Sequence, residues 1–177
     1  MVRADARENR ARILAAARKA FAEDDDTSMN QIAQRAGVGP GTLYRNYPSR
    51  EALILDIYQD EVAKLVGSVS DLLAAEPPLE ALRRWTIDLV AGMRKKHALG
   101  AALSPDAHKS ITEQTYGPVI GAIAQLLDAG KRDGSIREDA EPGDFLQFTG
   151  ALWRTAPDRT QPMLALILDG LDARRGP

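Results

Sequence analysis

The segment Gln31 to Tyr47, QIAQRAGVGPGTLYRNY, constrains this chain more than any other, because it spells two short helices around a glycine-centred turn. Ser28 stands three residues before Gln31, the spacing of a capping box in which the serine oxygen accepts an orphan amide and the glutamine side chain reaches back. A helix is therefore predicted to start near Met29. Ile32, Ala33 and Ala36 give it an apolar stripe, and Gly37 supplies the positive-φ residue that ends it. Pro40 suits the first position of the next helix, where its missing amide would have had no partner, and Gly39 serves as a permissive cap. That second helix is about two turns long. Leu43 is its one large aliphatic residue and must point inward as an anchor, which leaves an exposed edge of Thr42, Tyr44, Arg45, Asn46 and Tyr47. Hydroxyls, an arginine and an amide crowded on one short helix are poor core material, and they suit phosphates and base edges.

Pro48 closes the helix and Ser49 caps the next, with Arg50 in its first turn. The macrodipole favours carboxylates at that end. A cation set against this preference implies an anion, and a phosphate held jointly by Arg50 and the free helix amides is the expected one.

Together with the amphipathic ARILAAARKAF (Ala11 to Phe21), the run SMNQIAQRAGVGPGTLYRNYPSREAL as far as Leu53 resembles the N-terminal DNA-binding domain of the tetracycline-repressor (TetR) family of bacterial regulators. The resemblance is carried by AGV, GTLYR, the aromatic at Tyr47 and the basic residue before Glu51, and covers roughly the first third of the chain. It implies a three-helix head whose third helix enters the major groove, a helical ligand-binding body and a homodimer. In that family the positions matching Thr42, Tyr44, Asn46, Tyr47 and Arg50 commonly face DNA, several through phosphates. With Ser28, Gly39, Gly41 and Arg45 they make up the candidate DNA-binding set. One departure stands out: most members carry a glycine in the turn after the phenylalanine, whereas Glu23, Asp24, Asp25 and Asp26 form an acidic turn, read as a solvated loop.

A formal net charge of -2 fits poorly with DNA binding until its distribution is considered. Residues 1–50 hold nine Lys/Arg against six Asp/Glu, and the remainder fourteen against nineteen. The basic head can attract phosphate while the acidic body turns away from it. There is no cysteine, which excludes disulfides and cysteine chemistry and fits a reducing cytoplasm. The N-terminal arginines precede no apolar segment of signal-peptide length, and no membrane span is expected.

Beyond Arg50 the chain reads as helices punctuated by Pro and Gly. The expected segments are Ser49 to about Ala74, Leu79 to His97, Pro105 to about Gln114, Tyr116 to Arg132, Pro142 to Thr155 and Thr160 to Arg175. The fold class is all-α with about nine helices and no strand, divided into a helix-turn-helix domain (1–50) and an effector-binding and dimerisation domain (51–177). The last two helices are apolar over wide arcs, and Ala165 and Gly170 allow close backbone approach. A two-fold four-helix bundle is predicted there, with Leu152, Leu164, Ile167, Leu168 and Leu171 at the dimer interface; the alternative is a doubly buried helix within one subunit. Dimerisation would serve two recognition helices reaching half-sites about 34 Å apart or a multiple of it.

An effector would sit between Leu79 and Phe148, with Trp85, Leu89, Met93, Tyr116, Ile120, Phe145 and Phe148 as candidate lining and Thr86, His97, His108 and Gln114 as polar candidates. About half of the apolar set is expected to be plain core. No cofactor or metal is expected. Ser104, Asp106 and His108 suggest a hydrolase by their letters, but neighbours on one turn cannot converge as a triad does, and Ser104 reads as a helix cap before Pro105. Arg94-Lys95-Lys96 reads as a solvated, dipole-favoured cluster. The expected function is a homodimeric repressor released from a palindromic double-stranded DNA operator by a small-molecule effector. A ligand-independent regulator or activator, and a helical enzyme or metal-binding protein, are the alternatives.

Overall fold

Proline and glycine set most of the helix boundaries. The computed structural model describes residues 2–24, 26–100 and 103–175. In chain order these form α1 (Val2–Glu23), α2 (Met29–Ala36), α3 (Pro40–Asn46), α4 (Arg50–Gly67), α5 (Val69–Ala75), α6 (Pro78–Gly100), α7 (Pro105–Arg132), α8 (Pro142–Thr149) and α9 (Pro157–Leu171). Short 3-10 turns follow α8 and α9, at Leu152–Arg154 and Ala173–Arg175. The fold is all-α, and among the described residues extended pairing is limited to one bridge, Ile136 with Asp172. Helices α3, α6, α7, α8 and α9 begin at a proline, the residue that loses least at a first helical position.

The last helix runs from Pro157 to Leu171 rather than from Thr160 to Arg175, and three further differences from the expected boundaries have a visible cause. The expected long helix from Ser49 breaks at Ser68, because the Leu65 carbonyl accepts from both Ser68 Oγ (2.8 Å) and Trp85 Nε1 (2.8 Å), side chains that compete for an oxygen a continuous helix would use itself. Conversely, the two segments expected from Pro105 to Arg132 are one helix with Pro118 inside it. Buried Val119, Ala122, Ile123 and Leu126 resume helical spacing immediately after the proline, and their burial offsets its lost hydrogen bond. Third, α8 ends at Thr149 rather than Thr155. Past its end the carbonyls of Leu152, Trp153 and Thr155 accept from the Arg94 guanidinium at 3.2, 3.2 and 3.0 Å, and Thr160 Oγ1 does so at 2.6 Å. Arg94 is therefore a clamp on the α8–α9 connection and not part of a solvated cluster; the Lys96 side chain lies outside the described residues.

Two compact units result. One comprises Met1–Asp60 with Leu99–Ile111, the other Glu61–Ala98 with Thr112–Pro177. The first extends past residue 50 because Leu53, Ile54, Ile57 and Tyr58 of α4 join a core with Ile13, Leu14, Phe21, Ile32 and Leu43. The second is built around Trp85, Leu82, Ile123, Leu126, Leu127 and Phe145. Its core also contains Leu152, Leu164 and Leu168, with Ile167 and Leu171 half-buried against it. The first three of these expected interface residues are thus spent inside the unit, since α9 turns its Leu164–Leu168 face inward. What α8 and α9 leave outside is Phe148, 67% exposed, and Leu166, 73% exposed.

Candidate nucleic-acid interface

Local chemistry builds the helix-turn-helix as its residues suggested. The capping box is complete: Gln31 N–H donates to Ser28 Oγ at 3.3 Å, and Ser28 N–H donates to Gln31 Oε1 at 2.8 Å. Gly37 ends α2 at φ 66°, a left-handed conformation that would strain any residue with a Cβ. Leu43 is fully buried and is the one buried residue of α3. Around it Tyr44, Arg45 and Asn46 are exposed and Thr42 is half-buried. Arg45 Nη2 donates to Thr42 Oγ1 at 3.0 Å, and Asn46 Nδ2 donates to the Thr42 carbonyl at 2.8 Å, so the polar row is partly held in place before any ligand arrives. Gly39 and Gly41 are exposed, and a Cβ at either would meet nothing within 4 Å. They are not packing devices; they leave the start of α3 bare enough for close backbone approach.

Two expected DNA-facing residues are placed otherwise. Tyr47 is 6% exposed, and its hydroxyl donates to Asp56 Oδ2 at 2.5 Å. It is the C-cap of α3, with extended backbone (φ -134°, ψ 94°), so the helical periodicity that puts Tyr44 outside no longer governs it. Arg50 is half-buried, donates through Nη1 to the Thr27 carbonyl at 2.7 Å, and lies with its guanidinium carbon 4.3 Å from the centroid of the Phe21 ring. The partner the sequence implied for this cation is supplied from within by a carbonyl and an aromatic face. Ser49 caps α4 as expected, its Oγ accepting from Ala52 N–H at 3.1 Å.

The Tyr47 contact belongs to a network that the sequence reading missed. Arg10 grips Asp56 with two nitrogens, Nε at 2.9 Å and Nη2 at 2.7 Å, and reaches Asp60 at 3.8 Å, while Arg18 pairs with Asp60. A usable signal existed, since Asp56 and Asp60 are one turn apart on α4 and Arg10 and Arg18 two turns apart on α1. Burial raises the Tyr47 phenol above its usual range, and the bond to Asp56 adds to this. Burial alone would raise Asp56 as well, but hydrogen bonds from Arg10 and Tyr47 outweigh it and hold the carboxyl below the ordinary carboxylate range. A depressed carboxylate stabilises the fold above its unfolded pKa and loses that contribution as pH falls through its folded value. Thermal melts followed by circular dichroism should therefore show a smaller loss of stability between neutral and acid pH for Asp56→Asn than for the parent; identical acid profiles would remove this linkage.

In the acidic turn Glu23 pairs with Arg35 at 2.7 Å, and Asp24 Oδ1 accepts from the Asp26 amide at 2.9 Å; Asp25 lies outside the described residues. Ser104 Oγ accepts from Ala107 N–H at 3.3 Å, as a helix cap does.

The expected effector-lining residues do not gather in one place. Trp85, Leu89 and Phe145 are buried in the core of the second unit, with Met93 packed against it. Ile120 is half-buried, whereas Tyr116 is 54% exposed and Phe148 more so, which corrects their assignment to a cavity wall. Thr86 is buried, its hydroxyl donating to the Leu82 carbonyl one turn back. His97 is exposed and stacks on Trp153 with ring centroids 4.4 Å apart, while His108 is half-buried and Gln114 exposed. An open groove of about 520 Å³, lined by Leu73, Gln125, Asp128, Lys131, Arg132 and Glu138, shares none of the expected residues. No helix among the described residues is long and apolar enough to cross a membrane.

Residues 13–57 match the family described as bacterial regulatory proteins, tetR family, and residues 77–173 match the C-terminal domain of SbtR-like transcriptional regulators. A TetR transcriptional regulator from Streptomyces coelicolor superposes with a TM-score of 0.77 at 39% identity, covering 92% of this chain and 98% of that one. The chain belongs to the TetR family of transcriptional regulators. A second TetR-family structure, from Mycobacterium vanbaalenii, gives a TM-score of 0.74 at 31% identity over 97% of this chain and 99% of that one. FadR of Thermus thermophilus, a TetR-family repressor solved in complex with lauroyl-CoA, gives 0.58 at 26% identity over 91% and 90%. Among curated proteins, an HTH-type transcriptional regulator of Staphylococcus aureus strain USA300 is 41% identical over 63 residues. That match spans 34% of each chain, about a third of the curated relative's length. Within this TetR-family chain, α2, the Gly37 turn and α3 are the helix-turn-helix.

Proposed function

We propose that this TetR-family regulator is a homodimeric repressor that holds a palindromic operator through α3 and leaves it when a small molecule binds the body. DNA reading is assigned to residues 1–50 and effector binding and dimerisation to residues 51–177. The observation that carries the reading is the contrast within α3, where Leu43 alone is buried and Tyr44, Arg45 and Asn46 project beside a bare, glycine-flanked helix start. Ser28, Gly39, Gly41, Thr42 and Tyr44 serve phosphate and sugar positioning, and Arg45 and Thr42 read base edges. Tyr47 and Arg50 contribute through the packing of the head. The related repressor crystallised with lauroyl-CoA supports a small-molecule effector. A ligand entering the core that holds Leu89 and Phe145, with Met93 packed against it, would favour a second arrangement of the body. The place of action is the cytoplasm, where operator DNA lies.

Selection of bound fragments from the source genome tests the reading directly: a palindromic consensus is expected, and selection of no sequence would reject it. On the consensus, Arg45→Ala should cost about 1 to 3 kcal/mol at particular base pairs and relax preference there. Unchanged base preference after repeat selection would give Arg45 a structural role instead.

A further inference from the structure

Helix α3 has seven residues and a single buried side chain. One buried side chain gives so short a rod little to fix its rotation, yet base reading requires its side chains to be held within about half an ångström of the productive pose. A second anchor is therefore needed, and Tyr47 at the C-terminal end of α3 provides it. Its ring is buried and its hydroxyl is taken by Asp56 Oδ2 at 2.5 Å. That same oxygen accepts Arg10 Nε at 2.9 Å, and Oδ1 accepts Nη2 at 2.7 Å, so one carboxylate joins the end of α3 to α4 and α1. Arg10 Nη1 also lies 3.8 Å from Asp60 Oδ1, a second carboxylate on the same side of α4. The Arg10 side chain is 47% exposed, and an ion pair so open to water adds little stability. What such a bidentate pair does supply is direction.

We propose that Asp56 is a positioning residue for DNA recognition: held by Arg10, it grips Tyr47 and sets the angle at which α3 presents Tyr44, Arg45 and Asn46. This rests on the regulator reading above. It also predicts an effect opposite in sign to simple electrostatics, since deleting an acid from a DNA-binding head should tighten binding to every sequence.

The test uses the full chain and the fragment it selects. Affinities for that fragment and for unrelated DNA are measured across a salt series for the parent, Asp56→Leu, Asp56→Asn and Tyr47→Phe. Asp56→Leu is expected to weaken operator binding by about tenfold while binding to unrelated DNA is unchanged or tighter. Asp56→Asn, which keeps an acceptor for the Tyr47 hydroxyl, should recover part of the loss. Tyr47→Phe removes one oxygen atom and should lower the operator-to-unrelated ratio with an unchanged salt slope, because no phosphate contact is lost. Should Asp56→Leu fail to fold, Tyr47→Phe decides the matter. A parent chain that selects fragments, beside a Tyr47→Phe chain with the full ratio, overturns the role of Asp56 alone. A parent that selects none overturns the regulator reading and this proposal with it.

Discussion

Replacing Leu43 by alanine should cost the head about 2 to 5 kcal/mol and abolish operator binding, although no exposed atom of α3 is touched. The size of the effect follows from how little else holds the helix. Leu43 is fully buried and is the one buried residue between Pro40 and Asn46. Its removal leaves a cavity in the core that also contains Ile32, Ala33 and Leu53, and a cavity costs more than the transfer of the lost methyl groups alone. Leu43→Met, which conserves volume, should lose less than about 1.5 kcal/mol and keep most binding. Thermal unfolding by circular dichroism, paired with operator titration well below the transition, checks both. Trp85 and Trp153 both lie in the second unit, so tryptophan fluorescence reports that unit and not the head. An unshifted melt for Leu43→Ala would show that contacts other than that of Leu43 hold α3 in the head.

Features whose physics is local were legible in the residues themselves. The capping box needs only Ser28 and Gln31, the left-handed turn only Gly37, and the start of α3 only Gly39 and Pro40; each stands in the fold as its chemistry dictates. Legibility failed where a side chain's partner is distant in sequence. Asp56 meets Arg10 across 46 residues, Arg50 meets the Thr27 carbonyl across 23, and Arg94 meets Thr160 across 66. Arg50 was read as facing a phosphate and Arg94 as facing solvent, while Asp56 drew no reading at all, since helical periodicity gives a residue's face but not what lies opposite it. The same limit explains α9. Its wide apolar arc was read as an intersubunit face, whereas Leu164 and Leu168 complete a core within the chain, leaving the opposite side, with Leu166, as the surface that still needs covering. An effector site is harder again, because apolar residues at helical spacing look alike whether they line a cavity or fill it, and Trp85 and Phe145 fill one.

Leu166→Glu should turn the proposed dimer into a folded monomer and collapse operator binding. Leu166 is 73% exposed in the single chain, so a glutamate there is hydrated and folding should be nearly unaffected. Ile167 is a poorer choice for the same test, being half-buried against the core, where a charge would damage the subunit itself. Phe148 on α8 is likewise exposed, and α8 packs on α9, so two large apolar side chains on adjoining helices face outward and no described residue of the chain buries them. A two-fold partner presenting the same face would cover both. In such an isologous interface a single substitution acts twice, and each buried glutamate carries a desolvation cost of several kcal/mol. One head makes few base contacts, and a palindromic operator gains its affinity from two linked heads, so separation of the subunits forfeits the effective concentration that joins them. Sedimentation should show a monomer with an unchanged circular dichroism spectrum and an operator affinity reduced by about 100-fold or more. A Leu166→Glu chain that remains dimeric would place the interface elsewhere, and a monomer that keeps full operator affinity would end the two-headed mechanism.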